Sequence, residues 1–300
     1  MNYRPTSFLF GMLIFTPLVF RISAQDRFSQ RVDSLLEAKR SYYQIPGLAI
    51  GIVQQGALRY AQAYGLKNHS DQSPLYPSSI FHCASVSKLF TAQAIIELAT
   101  ENKLSLDDLL VDFLPHLADR DERIRYISLR QMLNHSAGLP DVRNYHWEDQ
   151  LRADSSLSQY VEGMTPKLLF PPGTQYRYCN LAYDILGYVV EKASGMLFED
   201  YVKEKILIPA GMIQSDFRYF KIPDSLRVVP HHRKGKQVKV RKIYPYNRIH
   251  APSSTLNASA PELCQWMIYF MKHLQSRKDY QQMLTSSLDF APGIGLGLQL

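Results

Sequence analysis

Ser85 and Lys88 stand three apart in Ser85-Val86-Ser87-Lys88, a spacing that puts a hydroxyl and an amine on one side of a helical turn. A serine hydroxyl is a poor nucleophile until a base takes its proton, and a lysine with a neutral amine can be that base. The first turn of a helix adds unpaired N–H groups and the positive end of its dipole, both favouring negative charge beside the serine. The chemistry implied is acyl transfer. Alone the pattern is weak, because 26 serines and 15 lysines in 300 residues give roughly one Ser-x-x-Lys by chance.

The surrounding elements strengthen it. Leu89 to Leu98 has apolar residues every three or four positions and reads as a mostly buried helix starting at the Ser85 segment. In Ile127-Ser128-Leu129-Arg130-Gln131-Met132-Leu133-Asn134-His135-Ser136-Ala137-Gly138-Leu139-Pro140, Ser128 and Gln131 form a capping box, and Gly138 with Pro140 forms a stop. Further on, Pro171-Pro172-Gly173-Thr174 precedes Gln175-Tyr176-Arg177-Tyr178-Cys179-Asn180-Leu181-Ala182-Tyr183, which leads into an amphipathic run from Ile185 to Lys192.

These three stretches resemble the serine β-lactamase and penicillin-binding-protein superfamily, in its class C, D-alanyl-D-alanine carboxypeptidase and esterase branch. The similarity is densest from about Ser78 to Met212, and the 93-residue interval from Ser85 to Tyr178 suits this branch better than the class A enzymes. The resemblance implies an acyl-enzyme on Ser85, with either Lys88 or the Tyr178 phenolate as base, and with Asn180 orienting Lys88 and holding the substrate amide. Cys179 stands where the family usually has serine. The third family motif, Lys-Thr-Gly or His-x-Gly, has no match, because no Lys-x-Gly or His-x-Gly triplet occurs. Gly293 to Leu300 resembles the strand that precedes that motif, so a C-terminally incomplete sequence is expected. Two functions follow as expectations: an exported serine hydrolase acting on a β-lactam, a D-Ala-D-Ala type peptide or a small ester, or a catalytically silent relative that binds cell-wall material.

Residues 1–24 read as a signal peptide, with Arg4 at the start, an apolar run from Phe8 to Phe20 shorter than the ~20 residues of a membrane span, and Ile22-Ser23-Ala24 before the cut. A periplasmic or secreted location is therefore expected. Three cysteines make no disulfide framework; Cys83 and Cys179 are best read as small buried thiols, with a bridge between them as the alternative. The formal charge of +7 is uneven: Ser225 to Pro261 holds eight Lys or Arg and no Asp or Glu. Arg233-Lys234-Gly235-Lys236, followed by Val238 and Val240, reads as a basic hairpin, with weak contact to anionic envelope groups as its functional reading. Nucleic acid is not expected as a partner of an exported chain. His135 reads as closing a helix, and His231-His232 lacks metal-ligand spacing. No phosphate loop or dinucleotide fingerprint is present, so neither a cofactor nor a metal is expected.

Elsewhere, Phe28 to Ser41 reads as an amphipathic helix and Leu48–Val53 with Leu58–Tyr64 as a hairpin turning at Gln55-Gly56. The pattern is then helical to about Gly211, with stops at Pro115, Gly138, Gly195 and Pro209; sheet character returns after Arg227, and a helix is expected over Pro261–Leu274. In the resemblance, Pro252-Ser253-Ser254-Thr255-Leu256 is the loop before that helix. The implied fold is α+β: one domain over residues 25–300, with an antiparallel sheet from both chain ends, flanking helices, an inserted helical lobe over about 85–211, and the site in the cleft between.

Overall fold

The computed structural model describes residues 24–235 and 237–299. The leader expected over residues 1–24 lies outside them, apart from Ala24. Helix α1 (Ala24–Tyr43) leads into β1 (Gly47–Gln54) and β2 (Ala57–Asn68), which pair in antiparallel fashion with β3 (Ser73–Pro74) on the far side of β2. The turn between β1 and β2 puts Gln55 and Gly56 at φ +53° and +73°, the two-residue geometry that suits the twist of a hairpin.

Strand β4 (Phe81–His82) then delivers the chain through a 3₁₀ turn, Ala84–Val86, into α2 (Ser87–Thr100). The sequence of α2 is apolar on nearly every side, and the helix is correspondingly central: Phe90, Ile95 and Leu98 are fully buried. Around it lie α3 (Leu110–Phe113), α4 (Leu129–Leu133), α5 (Ser156–Glu162), α6 (Asn180–Ser194) and α7 (Phe198–Val202). The Ser128–Gln131 capping box is formed in both directions, at 3.2 and 3.0 Å, and starts α4. Residues 141–155 and 163–179 are irregular, so the stretch 85–211 alternates short helices with long loops.

After residue 227 come β5 (His231–Lys234) and β6 (Gln237–Val240), the basic hairpin. A 3₁₀ turn, Arg248–His250, runs into α8 (Ala251–Ser254), then β7 (Asn257–Ala258), α9 (Ala260–Ser276) and α10 (Lys278–Met283). Helix α9 packs on β1, and β7 pairs with β4, so the C-terminal third supports the segment carrying Ser85.

The fold is α+β, but two expectations need correction. Among the described residues the single sheet is three antiparallel pieces, β1–β2–β3, β4–β7 and β5–β6. The segment 293–299 is not a strand: it folds back on itself with one isolated bridge, Ile294 to Gln299. Its backbone is engaged elsewhere: the Leu296 N–H bonds to the Met283 carbonyl and the Gly297 N–H to the Leu133 carbonyl.

Candidate active site

Ala84 adopts φ +45°, a left-handed conformation that costs a residue with a Cβ roughly 1–2 kcal/mol. Its neighbours hold it there. The Ser87 hydroxyl donates to the Ala84 carbonyl at 2.6 Å and accepts the Leu256 N–H at 2.9 Å, tying the turn to the end of α8. Ser85 is thereby presented to solvent at the mouth of the turn, while Lys88, one turn on, is 2% exposed.

The four expected site residues come together. Lys88 Nζ lies 3.2 Å from Ser85 Oγ, 2.7 Å from Asn180 Oδ1 and 2.7 Å from the Ser253 carbonyl oxygen. Tyr178 donates its hydroxyl to Ser85 Oγ at 2.9 Å, and its ring stands 5.0 Å from Lys88 Nζ. Ser85 and Tyr178 form the open edge, with Lys88 and Asn180 buried beneath.

Burial lowers the Lys88 pKa to about 8, against the opposing pull of Asp184 and then Asp141. Burial raises that of Tyr178, outweighing its hydrogen bond to Ser85. The contacts agree with this division. Two of the three Lys88 neighbours are carbonyl oxygens, which only accept, so a neutral Lys88 can spend its two N–H bonds on them and turn its lone pair to the Ser85 hydroxyl.

His135 closes α4, at φ +61°, and also positions Tyr178. Its ring packs 4.5 Å from the Tyr178 ring and its Nδ1 accepts the Cys179 N–H at 3.1 Å. Burial, with Lys88 nearby, pushes its pKa down to about 4 and keeps the imidazole neutral at pH 7. Cys83, Cys179 and Cys264 are free thiols, so the alternative of a Cys83–Cys179 bridge does not hold. The Cys179 sulfur caps α6 by accepting the Ala182 N–H at 3.4 Å, and burial pushes its thiol up to about 12, which leaves it unreactive.

Sequence reasoning missed two contributors. Asp141 accepts the Asn180 backbone N–H at 2.7 Å and its side-chain amide at 3.1 and 3.2 Å. A carboxylate only accepts, so this contact orients the Asn180 amide with Oδ1 toward Lys88. The Ser253 carbonyl is the second. Neither residue type nor spacing marks a backbone acceptor 165 positions away, whereas Asp141 directly follows the Leu-Pro of a stretch already singled out. Among the described residues one trio, His146, Glu148 and Asp149, brings possible metal-ligand atoms within 4.8 Å; all three are exposed, and none belongs to this constellation.

Comparison with known proteins fixes the family. The family model described as Beta-lactamase matches residues 30–300. The chain belongs to the beta-lactamase family. It is similar to Protein flp of Staphylococcus aureus (strain NCTC 8325 / PS 47), 24% identical over 268 residues, covering 88% of this chain and 53% of that protein. It is also similar to a penicillin-binding protein of Bacillus subtilis (strain 168), 29% identical over 192 residues, covering 61% and 40%. The chain thus spans about half the length of these relatives or less. Among solved structures, the octameric penicillin-binding protein homologue from Pyrococcus abyssi superposes with TM-score 0.75 at 25% identity, covering 90% of this chain and 64% of that one. A class C beta lactamase superposes with TM-score 0.69 at 23% identity, covering 88% and 70%, and shares the fold. The beta-lactamase family is one of serine hydrolases acting on amide or ester carbonyls.

Proposed function

We propose that this beta-lactamase family member is a serine hydrolase working through an acyl-enzyme on Ser85. The observation that carries the reading is the buried Lys88 amine, its pKa lowered to about 8, bound by two carbonyl-type acceptors with Ser85 Oγ as its third neighbour. Neutral Lys88 takes the Ser85 proton as Oγ bonds to the substrate carbonyl carbon. Negative charge moves to the carbonyl oxygen, beside the Ser85 N–H at the start of the turn. Collapse expels the amine or alkoxide, which takes the proton held by Lys88. Water then gives a proton to neutral Lys88 as it adds to the ester carbonyl, and collapse breaks the bond to Oγ, releasing the acid and returning the proton from Lys88 to Ser85. Asn180, locked by Asp141, keeps its Oδ1 on Lys88 beneath the open edge, and we assign it the substrate amide as well.

A β-lactam, a D-Ala-D-Ala type peptide and a small ester all present the carbonyl this chemistry needs. We place the protein outside the cytoplasm, on the leader-like residues 1–24, with weak contact between the 231–240 hairpin and anionic envelope groups as a secondary property. The second reading, a silent relative binding cell-wall material, predicts binding without turnover. Steady-state hydrolysis of a nitrophenyl ester and a chromogenic β-lactam by wild type and Ser85→Ala separates the two. Turnover abolished in Ser85→Ala supports the hydrolase; no turnover by wild type, with retained binding of peptidoglycan fragments, supports the silent relative.

A further inference from the structure

Beneath Lys88 lies a buried pair that the proposed reaction does not use. Asp184 is fully buried and His250 is 1% exposed; His250 Nδ1 and Asp184 Oδ2 are 2.7 Å apart. Asp184 sits on α6 four residues after Asn180, on the same face of the helix. His250 immediately precedes α8, and its carbonyl accepts the Ser253 hydroxyl at 3.3 Å. The two elements joined by the pair are therefore the two that grip Lys88, α6 through Asn180 Oδ1 and α8 through the Ser253 carbonyl. The pair is costly to keep. Asp184 Oδ1 and His250 Nε2 are buried without hydrogen-bond partners in the structure, and an isolated tie between two helices would be served as well by apolar packing.

We propose that Asp184 and His250 are positioning residues for the general base: the pair clamps α6 to α8 around Lys88 and holds the Asp184 carboxylate on the α6 face that carries Asn180. The inference rests on the reading of Lys88 as base. Other titratable groups face this region too. From the 134–145 loop come His135, Asp141 and Tyr145; from α5 comes Tyr160, and from the Tyr178–Tyr183 segment the two tyrosines and Cys179. Tyr145, Trp147 and Tyr160 pack their rings around His250 at 4.9, 5.9 and 5.6 Å and keep water from the pair. Asp184 is the strongest of the opposing charges acting on Lys88, and it favours the ammonium.

The test is the pH profile of Ser85 acylation in the full chain, for wild type, Asp184→Asn, His250→Ala and His250→Asn. Asparagine at 184 keeps an acceptor for His250 while removing the charge, so the acid limb should move to lower pH by about half a unit or more. His250→Ala should lose about tenfold or more in acylation rate, and His250→Asn, whose amide can donate in place of Nδ1–H, should recover most of it. If Asp184→Asn does not fold, the contrast between the two His250 variants still decides. An acid limb unmoved in folded Asp184→Asn, or His250→Ala and His250→Asn that behave alike, would overturn the inference while wild-type acylation stands. A wild type not acylated at Ser85 would overturn the hydrolase reading and this inference with it.

Discussion

At the scale of single residues, Lys88 and Tyr178 both touch Ser85 Oγ, and what separates them is the direction in which burial moves each. Burial destabilises the charged form of either group, making the lysine a better base at neutral pH and the phenolate a rarer one. The acylation rate should therefore rise with pH through a single limb centred near about 8, where Lys88 loses its proton. A rate flat from pH 6 to 9, or rising only above pH 10, would transfer the role to another group. Lys88→Ala should lower acylation by about 10²-fold or more with the fold retained, and Tyr178→Phe by a similar factor through the lost hydrogen bond to Ser85 Oγ, with unchanged melting temperature. The residue types were legible in the sequence because Ser85 and Lys88 lie within one turn, and Tyr178 and Asn180 flank a single position. Asp141, Ser253 and the Asp184–His250 pair were not, since each acts across 39 to 165 residues of chain. Asp184 left one trace that could have been followed, the only charge in the otherwise apolar run from Leu181 to Val190.

At the scale of elements, the cleft depends on how closely α6 and α8 approach. Gly187 is where they touch: a Cβ there would lie 1.9 Å from Pro252 Cγ and 2.5 Å from Pro252 Cβ. Because Ser253 follows directly, any methyl at 187 must push the Lys88-binding carbonyl away. Gly187→Ala should cost about 1–3 kcal/mol by overpacking, despite the better helix propensity of alanine, and should reduce acylation as well. Thermal denaturation and the acylation rate read this together; a stabilised, fully active variant would show that the two helices separate without consequence. The helices themselves were legible where period and caps agreed, as in α6 and α9, and α2 from the length of its apolar run. The pieces of sheet were not, because β4 and β7 are two residues each and pair across 175 positions, which no local pattern reveals.

For the whole molecule, one buried ion group holds the helical region to the segment that leads into α8. Arg248, 2% exposed, donates to Glu191 at 2.7 Å, Glu199 at 2.9 Å and the Asp154 carbonyl at 2.6 Å. Arg248→Ala strands two carboxylates out of water and should destabilise the protein by about 3–5 kcal/mol, measured by denaturant unfolding. A loss below about 1 kcal/mol would mean that water reaches the two glutamates. The fold these contacts maintain serves one claim, that Ser85 is an acylated nucleophile. Its most direct test is the intact mass of the protein after incubation with a fluorophosphonate or a penicillin, followed by peptide mapping. The account predicts one adduct per chain, located on Ser85, dependent on Lys88 and absent from Ser85→Ala; equal labelling of wild type and Ser85→Ala, or an adduct on another residue, would contradict it.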